Sequence, residues 1–386
     1  MLDDKHIKKK RNRTVALMLV TASATFVIAW LIFRTNYGMD SNLSEEIRVY
    51  AQARQYISEL FVGDLDESEL TDAAISAVIE ALDDEWSYYM TAEEYEAFVR
   101  QSNNEYQGIG ISFTRTEDTN AIEITSVTAG SPAAEAGLAV GDVITAINGE
   151  SVSDLESEDI REIILDNLGN TVTLTIEGSD GKTRETQVKS EEYYVNPVSY
   201  EMLENNVGYI KIVSFDSDSG KEGIAAIDEL ISDGATALVF DVRNNPGGRV
   251  SELLELLDYI LPQGEMFISA DRDGNETIEI SDENSIEMPM AVLVNANSYS
   301  AAEYFAAILQ EYEWADIVGE RTTGKGRSQL TLTLSDGSAI HISTKRYFTP
   351  AGVDLSDVGG IIPDHEVELI SEEDEQLQKA IQTVQE

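Results

Sequence analysis

Apolar residues recur every three or four positions along SEEIRVYAQARQYISELF and ELTDAAISAVIEALDD, the spacing of amphipathic helices. TAEEYEAFVRQ adds a third, with Thr91 as its cap, so residues 34–104 are read as a helical region. From about residue 105 the period shortens to two. YQGIGISFT, AIEITSVTAGSPAAEAGL, GDVITAINGESV and NTVTLTIEG are short strands divided by glycine turns, which predicts a compact β-module over 105–190. A third pattern opens at 191. VGYIKIVSF, ATALVFDVR and PMAVLVNA are continuous apolar, β-branched runs with the helical segments GKEGIAAIDELISDG and VSELLELLDYIL between them. Such runs predict βαβ units and a sheet buried on both faces. The expected fold class is α/β, multi-domain, with a core over 191–370 and a last amphipathic helix over 371–386.

The N-terminus has another character. Residues 1–13 carry six Lys/Arg against two Asp, leaving 20 basic against 70 acidic residues in the rest of the chain. Residues 14–33, TVALMLVTASATFVIAWLIF, are uncharged and long enough to span a bilayer. Basic residues before the span predict a cytoplasmic N-terminus and a single-pass membrane anchor, with the acidic bulk extracytoplasmic. A signal peptide cleaved near Ala22-Ser23-Ala24 is the competing reading. The net charge of −46 excludes general affinity for nucleic acid. The absence of cysteine excludes disulfides, zinc–thiolate sites and thiol catalysis.

In an open α/β sheet ligands gather beyond the carboxyl ends of the strands. Two turns fall there, DVRNNPGGR and NANSYS. Ser300 stands where a strand gives way to a helix, and Glu303 follows at capping-box spacing. Ser300 is therefore read either as a helix cap or as a nucleophile at a helix N-terminus, where free N–H groups hold an oxyanion. Ser298 is read as a polar turn residue. A nucleophilic serine needs a base. The chain has three histidines, His6, His341 and His365, none placed for a Ser-His-Asp triad. Lysine serves if burial lowers its pKa. Lys325 lies between Gly324 and Gly326, which let other backbone approach, although an exposed turn lysine is the bland alternative. Gln329, four residues on in an extended segment, would face the same side as Lys325 and hold its amine. GERTTGKG falls one residue short of a phosphate-binding loop and is followed by strands, so nucleotide binding is rejected.

Together these fragments resemble the carboxyl-terminal processing peptidases, tail-specific proteases with a Ser-Lys(-Gln) site and an inserted PDZ domain. The matching stretches are DDEWSYYMTAEEY, DVRNNPGG, SYSAAE, TGKGRSQ, YFTPAG and GGIIPD. The resemblance spans about residues 40 to 370 and implies a crotonase/ClpP-like sheet core. It also implies Ser300 as nucleophile, Lys325 as base and Gln329 as the orienting amide. Gly247 or Gly248 together with Ala301 would form the oxyanion hole. Gly108-Ile109-Gly110-Ile111 match the carboxylate-binding loop of a PDZ domain, which binds a peptide terminus as an added strand. Leu165 stands where the family often has an arginine, leaving open whether the module gates the site, with Arg161 one turn earlier as a substitute.

The expected protein is a membrane-anchored extracytoplasmic serine endopeptidase without metal or organic cofactor. Its partners would be protein or peptide substrates with accessible C-termini. Homodimerisation through the helical N-terminal segment and the last helix is expected because both are amphipathic and outside the core. A silent PDZ scaffold for exported tails and an acyl hydrolase on the same site are the alternatives.

Overall fold

The computed structural model describes residues 41–116, 120–178, 181–369 and 373–386. The chain divides into two units, Met1–Ala73 and Ala74–Glu386. In the first, α1 (Ser41–Leu60) exposes Tyr50, Ile57 and Leu60, and Arg54 pairs with Glu67. The expected span at 14–33 lies outside the described residues. Among the described residues no helix is long and apolar enough to cross a membrane. Helix α1 has the length, at 20 residues, but carries Glu45, Glu46, Arg48, Arg54 and Glu59. The single-pass membrane placement is corrected accordingly: among the described residues no helix can carry it.

The division falls within α2 (Glu67–Glu80). Beyond it, β1 (Tyr88–Met90) precedes α3 (Ala92–Ser102), whose cap is the expected Thr91. The Glu94 N–H donates to Thr91 Oγ1 at 3.3 Å and the Thr91 N–H to Glu94 Oε2 at 2.8 Å, a reciprocal capping box.

The β-module begins with β2 (Glu105–Gly108) and continues through β3 (Ile111–Arg115), β4 (Ile122–Val127), α4 (Pro132–Glu135), β5 (Val143–Ile147) and β6 (Glu150–Ser151). Helix α5 (Ser157–Asp166), β7 (Thr171–Glu177), β8 (Thr183–Lys189) and β9 (Glu191–Tyr194) complete it. The strand order β3-β4-β5-β7-β8 leaves β3 at an edge with only β4 beside it, and β2 pairs separately with β9. Alternation places Ile122, Ile124, Ile144, Val172, Leu174 and Ile176 inside, under Ile160 and Ile164 of α5.

The three continuous apolar runs become neighbouring strands. After β10 (Val198–Met202) come β11 (Val207–Ile212), α6 (Ser219–Ser232), β12 (Ala237–Asp241) and α7 (Val250–Ile260). A hairpin of β13 (Gly264–Asp271) and β14 (Glu276–Ser281) interrupts before β15 (Met290–Val294), α8 (Ala301–Glu311) and β16 (Asp316–Gly319). Then follow β17 (Arg327–Thr333), β18 (Ala339–Phe348), α9 (Leu355–Val358), β19 (His365–Glu366) and α10 (Glu375–Thr383). The main sheet runs β10-β11-β12-β15-β16-β19, parallel from β11 onward. Every residue of β12 and β15 is buried, which is why these runs show no alternation. Helices α6, α7 and α8 cover one face and α10 the other. A second sheet, β1-β18-β13-β14 with β17 on β18, brings the segment before β1 beside the C-terminal strands.

The last helix does not lie outside the core. Ala380 and Val384 pack with Val207, Val239, Ala291 and Val318, and Gln376 is fully buried. Arg243, 11% exposed, bonds both Asp241 oxygens and reaches Asp374 at 2.8 Å, fastening α10 to the turn after β12. The amphipathic stripe of this helix is thus spent within the chain and does not supply a dimer face. Arg243→Ala removes the cation beside the 2% exposed Asp241 carboxylate and leaves it the Tyr209 hydroxyl and a backbone N–H, so a loss of about 3 kcal/mol is expected in denaturant unfolding. Asp374→Ala, at the more exposed end, should cost less than half as much.

Candidate active site

The two turns at the carboxyl ends of β12 and β15 are laced by asparagines. The Asn244 N–H donates to Asn295 Oδ1 at 2.9 Å, and the Asn295 and Asn297 amides both donate to Asn244 Oδ1 at 3.0 Å. Asn245 is fully buried, donates to the Ile212 carbonyl at 2.9 Å and accepts the Gly247 N–H at 2.8 Å. Ser298 is equally buried, and its hydroxyl donates to the Val242 carbonyl at 2.7 Å, a structural role as expected.

Ser300 precedes α8 but does not cap it: its side chain makes no cap hydrogen bond. Its backbone sits at φ 57°, ψ −123°, a region that residues with a Cβ rarely enter and that active sites use to re-aim a side chain. Gly247 makes this corner possible. A Cβ there would lie 2.7 Å from Ser300 Cβ and 2.9 Å from the Ala301 nitrogen. Gly248 presses against Phe215, where a Cβ would stand 2.3 Å from the carbonyl group. Among the described residues the N–H groups of Gly248 and Ala301 have no acceptor, whereas that of Gly247 is committed to Asn245.

Lys325 comes from the irregular segment between β16 and β17. Its flanking glycines act as the sequence suggested. A Cβ on Gly324 would lie 2.7 Å from the Gly360 nitrogen, and one on Gly326 would lie 2.0 Å from Asp354 Oδ1. The buried Glu303 carboxylate fixes the loop, accepting the Gly324 N–H at 2.7 Å, the Lys325 N–H at 2.9 Å and the Thr322 hydroxyl. Burial raises its pKa, and those bonds with the Ser300 N–H work against the rise. The Tyr347 hydroxyl donates to the Lys325 carbonyl from the other side.

Ser300, Ala301, Gly248, Lys325 and Gln329 all line one cleft of about 500 Å³. Tyr95, Phe98 and Val99 of α3 also line it, as do Val250, Leu253, Phe267, Tyr304 and Tyr347. These walls shield Lys325 from much of the water, and burial lowers its pKa to about 8 against the opposing charges of Asp84 and Glu85. No hydrogen bond joins Ser300 to Lys325 among the described residues; Lys325 Nζ lies 4.5 Å from the centre of the Trp86 ring. Gln329 does not hold the amine either. Its amide donates to Ser343 Oγ at 3.0 Å and to the Arg327 carbonyl at 3.1 Å. A register shift between Ser328 and Gln329 breaks the alternation on which that expectation rested.

In the β-module, Gly108, Ile109, Gly110 and Ile111 line a separate groove of about 530 Å³ along the open edge of β3. Among the described residues the N–H groups of Ile109 and Gly110 have no acceptor. Ile164, Leu165 and Arg161 of α5 form the opposite wall, and Arg161 is the one charged residue among those lining it.

Comparison with known proteins bears on this arrangement. The model of peptidase family S41 matches residues 206–367, and that of the PDZ domain residues 123–178. A third model, the N-terminal domain of the activating protease CtpB, matches residues 31–94. A protein named "Probable CtpA-like serine protease" in Staphylococcus saprophyticus is 31% identical over 374 residues, 94% of this chain and 75% of the relative. The chain belongs to peptidase family S41. Its namesake in Staphylococcus epidermidis is 29% identical over 91% of this chain and 72% of its own. The solved photosystem II D1 C-terminal processing protease is 27% identical, with a TM-score of 0.50 over 85% of this chain and 89% of that one. Membership in S41 makes the protein a serine peptidase carrying a PDZ domain, and the silent-scaffold reading gives way.

Three residues contribute in ways the sequence reading did not show. Glu303 was read as a capping and structural partner, and it does accept the Ser300 N–H; what the spacing did not show is that its oxygens also serve the lysine loop. Trp86 and Asp84 lie in a helical region read without chemistry, although the match of DDEWSYY to the S41 peptidases was the available signal. Glu303→Gln presents an amide NH₂ where donors converge. It should lower kcat/KM at least tenfold while KM changes less, measured on a tail peptide, because Lys325 loses its fixed position.

Proposed function

We propose that this S41 peptidase cleaves proteins near unstructured C-terminal tails by a Ser-Lys mechanism. The observation that carries the reading is the convergence of Ser300 at a strained helix start and a part-buried Lys325 in one cleft. Neutral Lys325 accepts the Ser300 hydroxyl proton as Oγ bonds to the scissile carbonyl carbon. The carbonyl electron pair moves to oxygen, which rests on the N–H groups of Gly248 and Ala301. Collapse of this intermediate expels the amine, which takes the proton from Lys325, and water then resolves the acyl-enzyme through the same lysine. Gly247, the other candidate donor, supports the hole by its close approach. Gln329 fixes the start of β17 through Ser343. The apolar walls Phe98, Val99, Leu253 and Phe267 favour an apolar side chain beside the scissile bond.

The PDZ domain captures the tail. Its carboxylate meets the Ile109 and Gly110 N–H groups, its backbone extends β3, and its last side chain packs on Ile164 and Leu165. The similarity to a D1 C-terminal processing protease supports tails as the substrate class.

The test incubates the full chain with an unfolded protein ending in apolar residues and follows intact mass. Wild type is expected to cut, while Ser300→Ala and Lys325→Ala should be silent but still bind the tail. Cleavage by Ser300→Ala refutes the assigned nucleophile. Because the lysine must be neutral, kcat/KM should rise about tenfold per pH unit up to about 8 and then level. Lys325→Arg, protonated throughout, should stay inactive across that range.

A further inference from the structure

Lys325 Nζ lies 4.5 Å from the centre of the Trp86 ring and 6.0 Å from that of Tyr299. The two rings are themselves in contact, 5.8 Å apart and tilted by 32°. Tyr299 immediately precedes Ser300, and Trp86 belongs to the segment before β1, so this aromatic corner is built from chain regions far apart in sequence. A ring face attracts an ammonium and has no such attraction for a neutral amine.

We propose that Trp86, with Tyr299 behind it, is a positioning residue that seats the Lys325 ammonium on its π face and releases the neutral amine toward Ser300. This rests on the Ser-Lys reading and adds an ordering to it: the protonated base is parked and the deprotonated base engages. The absence of a hydrogen bond between Ser300 and Lys325, with the amine on Trp86, is the parked arrangement. The other groups facing the lysine do not supply this selectivity. Asp84 and Glu85, from the segment before β1, favour the ammonium by charge alone. Arg327 pairs with Asp84 at 3.0 Å and draws part of that charge away. His341 on β18 is held neutral, its pKa lowered to about 4 by burial and then by Lys325 itself. Glu303 on α8 is committed to backbone N–H groups, and the Tyr347 hydroxyl to the Lys325 carbonyl.

The test compares Trp86→Leu, which keeps an apolar cover without a π face, with Trp86→Phe, which keeps a face. Two readouts are taken on the full chain. One is the pH dependence of kcat/KM on a tail peptide. The other is the pH dependence of Lys325 acetylation by trace acetic anhydride, read by peptide mass in a Ser300→Ala background, which needs no activity. Trp86→Leu should move both midpoints about half a pH unit lower, the size of a partly exposed cation–π contact, while Trp86→Phe stays near wild type. Tyr299→Leu should shift the same way by less, and carries the test where Trp86→Leu does not fold. Equal midpoints in Leu and Phe variants overturn the seat, and an upward shift in Trp86→Leu reduces the ring to a water shield. A labelling shift without any matching activity limb keeps the seat and refutes the Ser-Lys reading instead.

Discussion

The site depends on one buried carboxylate. Glu303 is inaccessible to solvent, and a charge in that position is stabilised only by donors that converge on it. The chain supplies them from the lysine loop, through Thr322, Gly324 and Lys325, and from the Ser300 N–H at the helix start. Removing the carboxylate would leave two part-buried backbone N–H groups and the Thr322 hydroxyl without this acceptor, which disfavours other positions of the loop. The first turn of α8 and the segment carrying the lysine are thereby one rigid piece, and Ser300 lies a single helical turn from that junction. Backbone strain at Ser300 is tolerable because its surroundings are fixed independently, by Glu303 on one side and the Asn245-anchored glycines on the other.

Sheet topology explains why these pieces meet. Parallel strands β12 and β15 end at the same edge, so their following turns face each other, and asparagine side chains bridge them where backbone pairing stops. The α3 region then joins this edge from elsewhere in the chain. Arg249, next to Gly248, donates to the Ser102 carbonyl at 2.8 Å, and the buried Asn104 donates to the Ser217 carbonyl at 2.6 Å. The segment that opens the PDZ domain is therefore tied directly to the turn that offers the Gly248 N–H.

Much of the fold was legible because burial on two faces writes continuous apolar runs and burial on one face writes alternation. The candidates Ser300 and Lys325 stood out for local reasons: a serine at a strand-to-helix junction, and a lysine between glycines that other groups crowd. What stayed hidden depended on partners far away in sequence. The spacing of Glu303 after Ser300 is that of a cap, and nothing local shows that its oxygens turn to residues 322–325. The register shift at Gln329 breaks the alternation from which its pairing with Lys325 was read, and no residue type announces it. The last helix has an ordinary amphipathic stripe, and whether that stripe meets the same chain or a second copy is decided by Arg243, more than a hundred residues earlier.

The basicity of Lys325 is set by opposition. Burial in the aromatic corner favours the neutral amine, and burial alone can move a lysine by several pH units. Asp84 and Glu85 oppose it. Asp84 is itself held below the usual carboxylate range: burial works against its charge, but hydrogen bonds from Ser87 and Ser343 and the Arg327 guanidinium prevail. In the proposed Ser-Lys mechanism, an ionised acid near the lysine keeps the amine from becoming too weak a base to take a serine proton, and the apolar walls keep it from remaining fully protonated. A base placed near the working pH gives the best product of available fraction and proton affinity. The segment before β1, which contributes both the acids and Trp86, thus adjusts the reactivity of a lysine that the S41 core itself only positions.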